Sequence, residues 1–349
     1  MMIELDGGIY SGSGTLLRYA VSLATLTATP LHMVRIREKR SKPGLRPQHL
    51  QAVQACCTLC GGKLDGGRVG SREISYRPGE RIRSGDFRWD IGTAGSTTML
   101  AMTVLPLALY AREPTTHLIS GGLFQDFAPS AFFLQQILLP LIGRSGADVQ
   151  AEILRPGYVP RGQGKLKITI KPLNAPMDPI RLVEPGKATE VQGISLSSHL
   201  EEAKVSERMA EQCRNLLEKQ GYTTRISVRH DKEAVQKGAA LMLWAKTDSG
   251  SLLGADRAGK IGRSAEAVAR HAVHCLLEDL HSGATVDRFA ADQLILFAAL
   301  ARGSTRYRIP RITDHVQSNL WLVKTILGVE AKVDKRWVAL EGMGLMRHR

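Results

Sequence analysis

The segment FRWDIGTAGSTTMLAMTVLPLALYAREPTTHLISGG (residues 87–122) carries the pattern that decides the fold. Its first six residues predict a strand, the apolar run at 95–112 predicts a helix, and THLISGG at 116–122 predicts a second strand. Beyond it, the chain predicts a helix at 130–142 and strands at 148–154 and 165–171. The order is therefore strand, helix, strand, helix, strand, strand, which favours an α/β architecture.

The same order of elements occurs before this segment, at a period of about ninety residues, and a third copy that begins with its first helix follows after residue 287. The upstream elements are a strand at 2–7, a helix at 14–28, a strand at 31–38, a helix at 47–60 and strands around 63–77. The downstream elements are a helix at 287–302, a strand at 305–310, a helix at 315–327 and strands at 329–341. We therefore predict an α/β fold in which three βαβαββ-type repeats form one large domain.

The stretch 183–283 does not fit the repeat. It predicts helices near 203–220 and 264–281, with the strands TTRISVR (223–229) and ALMLWAK (240–246) between them. Turn-rich segments flank it on both sides. We expect residues 183–283 to form a smaller inserted α/β domain, and residues 1–182 and 284–349 to form the large repeat-built domain.

The charge of the chain points to a polyanionic partner. Among 349 residues the formal net charge is +14, and the pI is near 9.8. Nucleic acid is the simplest partner for such a balance, and a basic surface without a specific partner is the alternative. Aromatic residues make up only 5% of the chain, so base-stacking platforms must be few.

Two further features bound the setting of the protein. No charged and apolar leader opens the chain, and the longest apolar stretch, MLAMTVLPLALY (99–110), contains Pro106 and is too short to span a bilayer. We expect a cytoplasmic protein without a membrane partner. The five cysteines include CCTLC (56–60), which lacks a second ligand pair, so cysteines in a helix core are the better interpretation than a metal or redox site.

Three glycine-rich turns are candidates for anion binding. SGSGTLLRYA (11–20) and DIGTAGSTTML (90–100) each lead into a predicted helix, whose first N–H groups favour an anion. RPGYVPRGQGK (155–165) adds a loop of glycine, proline and arginine. A nucleotide pocket and a simple tight turn both remain open for residues 11–20.

Basic residues crowd into RIREKRSKPGLRPQH (35–49). On the strand predicted at 31–38, Arg35 and Arg37 share one face and would point at a common partner. Guanidinium groups suit phosphate oxygens because they donate two parallel hydrogen bonds. A phosphate site and a solvated charge run are both compatible with this segment.

The C-terminal region holds the candidate chemistry. DRFAADQL (287–294) places Phe289, Asp292 and Gln293 on one helix, and RITDHVQSN (311–319) places His315 and Asn319 at i, i+4. A histidine there, near an aromatic ring that stacks on a base, can act as a nucleophile toward phosphorus. The alternative is a histidine at a helix start that is satisfied by the backbone.

The motifs together resemble the RNA 3′-terminal phosphate cyclases, almost from end to end. The resemblance is carried by IELDG, GTLLRYAVSLA, IREKRSKPGLRPQHLQAV, GTAGSTTMLAMTVLPLAL, ISGG, LRPGYVPRGQG, the long run LLGADRAGKIGRSAEAVARHAVHCLLEDLHSGATVDRFAADQL, and DHVQSNLWLV. It implies the three repeats and the inserted domain. It also implies an enzyme that uses ATP to adenylylate a histidine, passes the AMP to an RNA 3′-phosphate, and closes a 2′,3′-cyclic phosphate.

The resemblance also implies the roles of individual residues. His315 matches the nucleophile. Phe289 and Pro129 match the two faces of an adenine pocket. The remaining matches are ATP-binding positions (Asp292, Gln293, Asn319, Ser11, Thr15) and RNA or phosphate-binding positions (Arg18, Arg37, Arg40, His49). ATP, a divalent metal ion (Mg or Mn) and an RNA 3′ end are the implied cofactors and partners, whereas no oligomeric state is implied.

Several positions depart from the family pattern. Where the family usually has G-E-G-G-G-Q-x-x-R, this chain has YSGSGTLLR (10–18), so Ser11 replaces a glutamate that helps bind metal and Thr15 replaces a glutamine. Met102 replaces a glutamine, Ser318 replaces a threonine, and the acidic residue after ISGG appears only at Asp126. The alternative function is therefore an altered or inactive cyclase-like RNA-binding protein in RNA processing or ribosome biogenesis.

Overall fold

The structure is a computed structural model, and it describes residues 2–346. The strands are β1 (Ile3–Asp6), β2 (Leu31–Val34), β3 (Lys63–Asp65), β4 (Ile74–Arg77), β5 (Gly85–Asp90), β6 (Thr115–Gly121), β7 (Val149–Arg155), β8 (Gly164–Ile170), β9 (Arg181–Leu182), β10 (Glu190–Ser198), β11 (Thr223–Asp231), β12 (Gly238–Lys246), β13 (Leu252–Ala258), β14 (Arg302–Arg308), β15 (Ala331–Asp334) and β16 (Trp337–Met343). The α-helices are α1 (Gly14–Leu26), α2 (Pro47–Cys60), α3 (Thr97–Ala108), α4 (Ala131–Phe133), α5 (Leu139–Gly143), α6 (Val205–Glu218), α7 (Ala265–His281), α8 (Ala290–Leu300) and α9 (Asp314–Leu327). A π-helical turn, Leu134–Leu138, joins α4 to α5.

Three of the four-stranded sheets share one order of strands. They run β1-β2-β4-β3, β5-β6-β8-β7 and β9-β14-β16-β15. In each sheet the first pair of strands is parallel and the other two pairs are antiparallel. Helices connect the parallel strands, as this geometry requires. The predicted α/β fold class is confirmed.

A fourth sheet, with the order β11-β10-β12-β13, belongs to the stretch that did not fit the repeat. Helices α6 and α7 pack on it around a separate apolar core that includes Met209, Leu243 and Leu276. The larger core contains the buried faces of α1, α3 and α8. We propose on this basis that residues 183–283 are the inserted domain expected from the sequence.

The parallel strand pair of the third sheet flanks residues 183–283 in the sequence. The short strand β9 precedes the inserted stretch and β14 follows it, yet Arg181 pairs with Arg306 and Leu182 with Tyr307 in a parallel register. The first strand of the third sheet is therefore separated in the sequence from its partner by the whole inserted stretch.

The strand predicted at 31–38 is wrong in its second half. Strand β2 ends at Val34, and Arg35 and Arg37 adopt left-handed backbone angles, with φ of +49° and +57°. Between them the side chain of Ile36 is fully buried. A left-handed residue on either side of Ile36 ends the alternation of a strand, so Arg35 and Arg37 do not share a face.

The described part of the chain has two further properties that bear on the sequence predictions. Among residues 2–346, no helix is both long and apolar enough to cross a bilayer. The five cysteines are free thiols, of which Cys57 is half-buried and the other four are buried. Burial raises the pKa of Cys57 to about 12, which makes a thiolate reaction unfavourable at neutral pH.

Candidate nucleotide and phosphate site

Serine hydroxyls hold the turn that leads into α1. Ser13 is the N-cap residue, and its Oγ accepts a hydrogen bond from the backbone N–H of Thr15 at 3.3 Å. The Oγ of Ser11 lies 3.1 Å from the Oγ of Ser13. The first turn of α1 contains no acidic side chain, so no carboxylate of that turn competes with an anion for its N–H groups.

The start of α9 packs directly on this turn. Ser318 Oγ accepts the backbone N–H of Ser11 at 3.2 Å and lies 2.6 Å from the carbonyl oxygen of Asp314. At the N-terminus of α9, Thr313 Oγ1 accepts the N–H of Val316 at 3.2 Å. The glycine-rich turn of the first repeat and the first turn of α9 therefore form one contiguous wall.

His315 lies in that first turn of α9 and is partly buried. Its Nδ1 is buried and has no hydrogen-bond partner among residues 2–346. Burial lowers the pKa of His315, and the positive charges of Arg40 and Arg18 lower it further. The imidazole is therefore neutral at neutral pH, which is the state that a nitrogen nucleophile needs.

Arg18 is the buried cation of the site. Only 2% of its surface is exposed, and it donates from Nη1 to the carbonyl oxygen of Met99 at 3.0 Å and from Nη2 to Thr15 Oγ1 at 3.3 Å. No carboxylate within residues 2–346 forms an ion pair with it at 4 Å or less. Burial lowers the pKa of Arg18, so an anion that reaches it would relieve an unpaired buried charge.

Arg35 and Arg37 have different partners, which corrects the expectation that both point at one ligand. Arg35 Nε donates to Asp6 Oδ1 at 2.9 Å, whereas Arg37 Nη1 donates to the carbonyl oxygens of Lys42 and Gly44 at 2.7 and 2.8 Å. The guanidinium of Arg37 therefore stabilises its own loop. The backbone turn that ends β2 is the physical reason, because it rotates the two side chains away from each other.

Arg40 and His49 lie beside His315 and Arg18. Arg40 is exposed, and its charge lowers the pKa of both histidines. His49 is buried on Gly14, where a Cβ atom would lie only 2.1 Å from His49 Nε2. Burial and the surrounding arginines lower the pKa of His49 to about 3, so the cluster contains two neutral imidazoles among cations.

Next to the site, buried polar side chains of α1, α8 and α9 form a series of hydrogen bonds. The hydroxyl of Tyr19 donates to Gln293 Oε1, and Gln293 Nε2 donates to Asp292 Oδ2 at 2.7 Å. Asn319 Nδ2 donates to the carbonyl oxygen of Asp292 at 2.9 Å, and its Oδ1 is buried without a partner in the described part of the chain. Burial raises the pKa of Asp292 to about 7, against the opposing charge of Arg18.

The two aromatic-pocket candidates lie on different elements. Phe289 immediately precedes α8, is half-buried, and meets the ring of Phe133 edge-on with centroids 5.9 Å apart. Pro129 is buried, and its carbonyl oxygen accepts a hydrogen bond from Thr98 Oγ1 at 2.6 Å. Phe133 lies on α4, four residues after Pro129, so the two candidate walls adjoin the same helix.

The carboxylates near the site do not form a metal centre. Among residues 2–346, no group of three or more His, Cys, Asp or Glu side chains is arranged to hold a metal ion. Asp6 is paired with Arg35, and Asp126 is paired with Arg263 at 2.8 Å and Arg257 at 3.3 Å. These cations hold the pKa of Asp126 below its usual range, so the carboxylate of Asp126 is engaged in ion pairs with arginine.

Sequence reasoning missed several residues that the structure places around the site. Tyr19, Asp256 and Asp287 each make a hydrogen bond to the segment that carries a site candidate. The one available signal was the position of Asp287 as the first residue of the helix predicted at 287–302, where an aspartate is typical of an N-cap. The contacts of Tyr19 and Asp256 join distant parts of the chain, and no local sequence pattern predicts them.

The fold and the site define an α/β protein in which a neutral histidine at a helix start lies near a buried arginine of α1 and an exposed arginine of the loop before α2. Its family is shown by comparison with known sequences: a family model described as RNA 3′-terminal phosphate cyclase matches residues 9–333. The chain belongs to this RNA 3′-terminal phosphate cyclase family.

Three curated relatives carry the name RNA 3′-terminal phosphate cyclase. The protein from Pyrobaculum neutrophilum is 33% identical over 99% of this chain and 99% of its own length. The protein from Archaeoglobus fulgidus is 36% identical over 95% of this chain and 98% of its own length. The protein from Nitrosospira multiformis is 37% identical over 95% of this chain and 93% of its own length.

Proposed function

We propose that this chain converts an RNA 3′-terminal phosphate to a 2′,3′-cyclic phosphate, at the expense of ATP, through a covalent AMP on His315. The observation that carries the proposal is the state of His315. It is a neutral imidazole at a helix start, its Nδ1 has no partner among residues 2–346, and the charges of Arg18 and Arg40 reach it. A histidine that served only to cap its helix would have a backbone partner.

In the first step, a ring nitrogen of His315 attacks the α-phosphorus of ATP. A nitrogen–phosphorus bond forms, the bond between the α-phosphorus and the bridging oxygen breaks, and pyrophosphate leaves with that electron pair. The imidazole proton is lost to solvent when the adduct becomes neutral. Arg18 and Arg40 offset the negative charge that develops on the phosphorus oxygens.

In the next two steps, the AMP moves to the RNA and then leaves. An oxygen of the RNA 3′-phosphate attacks the AMP phosphorus, the nitrogen–phosphorus bond breaks, and the leaving imidazole of His315 takes a proton back from solvent. The neighbouring 2′-hydroxyl then attacks the 3′-phosphorus, loses its proton and expels AMP, which leaves the cyclic phosphate. His49 is neutral because burial and the arginines lower its pKa to about 3, so it can accept a hydrogen bond without charge repulsion from the cations.

The residues present fit ATP. Phe289 offers a half-buried ring for the adenine, and the family resemblance assigns the buried Pro129 to the opposite face. The hydroxyls of Ser11 and Thr15 lie at the N-terminus of α1, where a phosphate is favoured. Asn319 Oδ1 is a buried acceptor without a partner in the described residues, which is the kind of atom that a ligand donor satisfies.

The residues do not fit a metal ion held by protein carboxylates. Ser11 is neutral, and a hard dication prefers charged oxygens. A magnesium or manganese ion that enters with ATP would depend on the triphosphate for those oxygens.

Mass spectrometry of the intact chain after incubation with ATP and magnesium tests the proposal. We expect one added AMP on the wild-type chain and none on His315→Ala. The adduct should be acid-labile and stable to base, as a phosphoramidate is, and a wild-type chain that stays unmodified with magnesium, manganese and cobalt contradicts the proposal.

One observation favours the alternative function, an RNA-binding protein with altered or lost turnover. The Ser11 hydroxyl is within hydrogen-bond distance of both Ser13 and Ser318, so contacts within the chain already engage this hydroxyl. Under the alternative, the chain binds a phosphorylated RNA end and does not form the AMP adduct, and the same mass measurement separates the two functions.

A further inference from the structure

Strand β13 of the inserted stretch lies against both candidate walls of the adenine pocket. It reaches them from two positions that are two residues apart, Gly254 and Asp256. One contact uses a backbone N–H and the other uses a carboxylate. The space at position 254 is tight, because a Cβ atom there would lie 2.5 Å from Met242 Cε and 2.8 Å from Ile137 Cδ1 in the π-helical turn.

The first contact fixes the segment that carries Phe289. Asp287 is fully buried, and its Oδ1 accepts the backbone N–H groups of Phe289 and Ala290 at 2.8 and 2.9 Å. Its Oδ2 accepts the N–H of Gly254 at 3.1 Å. One carboxylate therefore caps the start of α8 and ties it to β13.

The second contact fixes the segment that carries Pro129. Asp256 Oδ2 accepts the backbone N–H of Ser130 at 2.7 Å. Ser130 Oγ in turn accepts the N–H of Phe133, which caps α4. The ring of Phe133 on α4 also contacts the ring of Phe289, so the two segments that are bound to β13 contact each other as well.

These contacts form a closed circuit. It runs from β13 through Asp287 to Phe289, across the ring of Phe133 to Ser130, and through Asp256 back to β13. Each of the two segments is thus held by β13 and by the other segment. Such a closed set of contacts fixes their separation more firmly than either contact to β13 alone.

We infer that Asp256 and Asp287 are positioning residues that anchor the segments of Phe289 and Pro129 to β13 and so fix the two walls of the adenine pocket relative to each other. This inference rests on the proposed function, in which Phe289 and Pro129 enclose the adenine. The inserted stretch then takes part in nucleotide recognition even though none of the site candidates predicted from the sequence lies within it.

The test separates adenine recognition from phosphate recognition. The dissociation constants of ATP and of inorganic tripolyphosphate are measured by calorimetry on the full chain and on Asp256→Ala. We expect Asp256→Ala to weaken ATP binding by about tenfold or more, the size of one hydrogen bond to a charged group, and to leave tripolyphosphate binding unchanged. Asp256→Asn keeps a carbonyl oxygen that can accept the N–H of Ser130, and it should recover part of the loss.

Matched variants guard against a general effect on folding. Ser130→Pro removes the same hydrogen bond from the donor side, and the φ of −74° at Ser130 is compatible with proline. Ser130→Ala removes the helix cap but keeps the N–H, so it isolates the contribution of the cap. Asp231→Asn alters another carboxylate of the inserted stretch that accepts backbone N–H groups, those of Glu233 and Ala234, and should leave both affinities unchanged.

Each outcome bears on a defined claim. If Asp256→Ala and Ser130→Pro bind ATP as the wild type does, or lose ATP and tripolyphosphate affinity equally, the positioning role is overturned while the proposed function stands. If the wild-type chain itself binds tripolyphosphate but not ATP, the proposed function fails and the positioning role fails with it.

Discussion

The hydroxyl of Ser318 lies 2.8 Å from the hydroxyl of Ser11, although 307 residues separate them in the chain. The contact joins the turn before α1 to the first turn of α9, the helix that carries His315. Both serines are departures from the usual pattern of the family. Ser11 replaces the glutamate of that pattern, and Ser318 replaces its threonine. The site therefore has a contact between two hydroxyls where the pattern places a negative charge.

Restoring a negative charge at position 11 should raise the affinity of the site for the metal ion. In Ser11→Glu, the carboxylate supplies an oxygen that a hard dication prefers, so we expect adenylylation of His315 to reach half of its maximum at a lower magnesium concentration. Ser11→Gln has nearly the same size without the charge and should not produce this shift. Intact-mass titrations against magnesium provide the measurement, and equal midpoints for the two variants would show that the pocket differs beyond this residue.

Arg40 should carry the electrostatic part of RNA binding more than Arg37 does. Arg40 is exposed, and no hydrogen-bond or ion-pair partner is seen for its side chain within residues 2–346, whereas Arg37 is bound to the carbonyl oxygens of Lys42 and Gly44. Arg40→Ala should weaken binding of a 3′-phosphorylated RNA and flatten the plot of log affinity against log salt by about one unit. Lys332→Ala, an exposed cation on β15, is the control for net charge. Unchanged slope and affinity in Arg40→Ala would place the RNA elsewhere.

Gly14 should be intolerant of any side chain. A Cβ atom there would lie 2.1 Å from His49 Nε2, so Gly14→Ala must displace a buried ring; we expect a loss of about 1–3 kcal/mol in the free energy of unfolding and a loss of adenylylation. Gly143→Ala is the matched control, because a Cβ atom at this helical position meets nothing within 4 Å. Urea unfolding curves compare the two variants, and equal stability would mean that His49 has room to move.

The buried His117 should make the fold sensitive to acid independently of the site. Trp89 Nε1 donates to His117 Nδ1 at 3.1 Å, and burial lowers the pKa of His117 to about 4. Because the folded-state pKa lies below the unfolded value of about 6.5, the stabilisation is complete above that pH and is lost as the pH falls toward 4.

His117→Gln removes this titration while keeping an acceptor for Trp89. Between pH 7 and pH 5, the wild-type free energy of unfolding should fall by about 2 kcal/mol more than that of the variant. Urea unfolding at the two pH values measures the difference. Parallel losses in the two proteins would rule out His117 as the source of acid sensitivity.

The sequence predicted the α/β fold class because its periodic segments and glycine turns are local signals. It failed at Arg35 and Arg37, where two left-handed residues bury Ile36 and end β2, since a run of alternating residues does not report backbone handedness. The structure brings His315, Arg18, Arg40 and His49 together, whereas their roles in binding and catalysis stay predictions. A cytoplasmic location likewise stays a prediction.

The support of the site was beyond sequence reasoning for a different reason. Asp256 accepts the N–H of Ser130 and Asp287 accepts the N–H of Gly254, and both hydrogen bonds cross between β13 and the segments that lead into α4 and α8. An aspartate that accepts a backbone N–H from a distant segment has the same local sequence as an aspartate on the surface. Only the folded chain distinguishes them.

The pairing of β9 with β14 has a consequence for biosynthesis. When Arg181 and Leu182 leave the ribosome, their partners Arg306 and Tyr307 have not yet been made. At about 5–20 residues per second, β9 waits on the order of ten seconds with an unpaired edge. If the inserted stretch folds meanwhile, its ends are held closer together, and the cost of closing the intervening loop falls. A folded inserted stretch would in this way bring β9 and β14 together when the last sheet of the nascent protein forms.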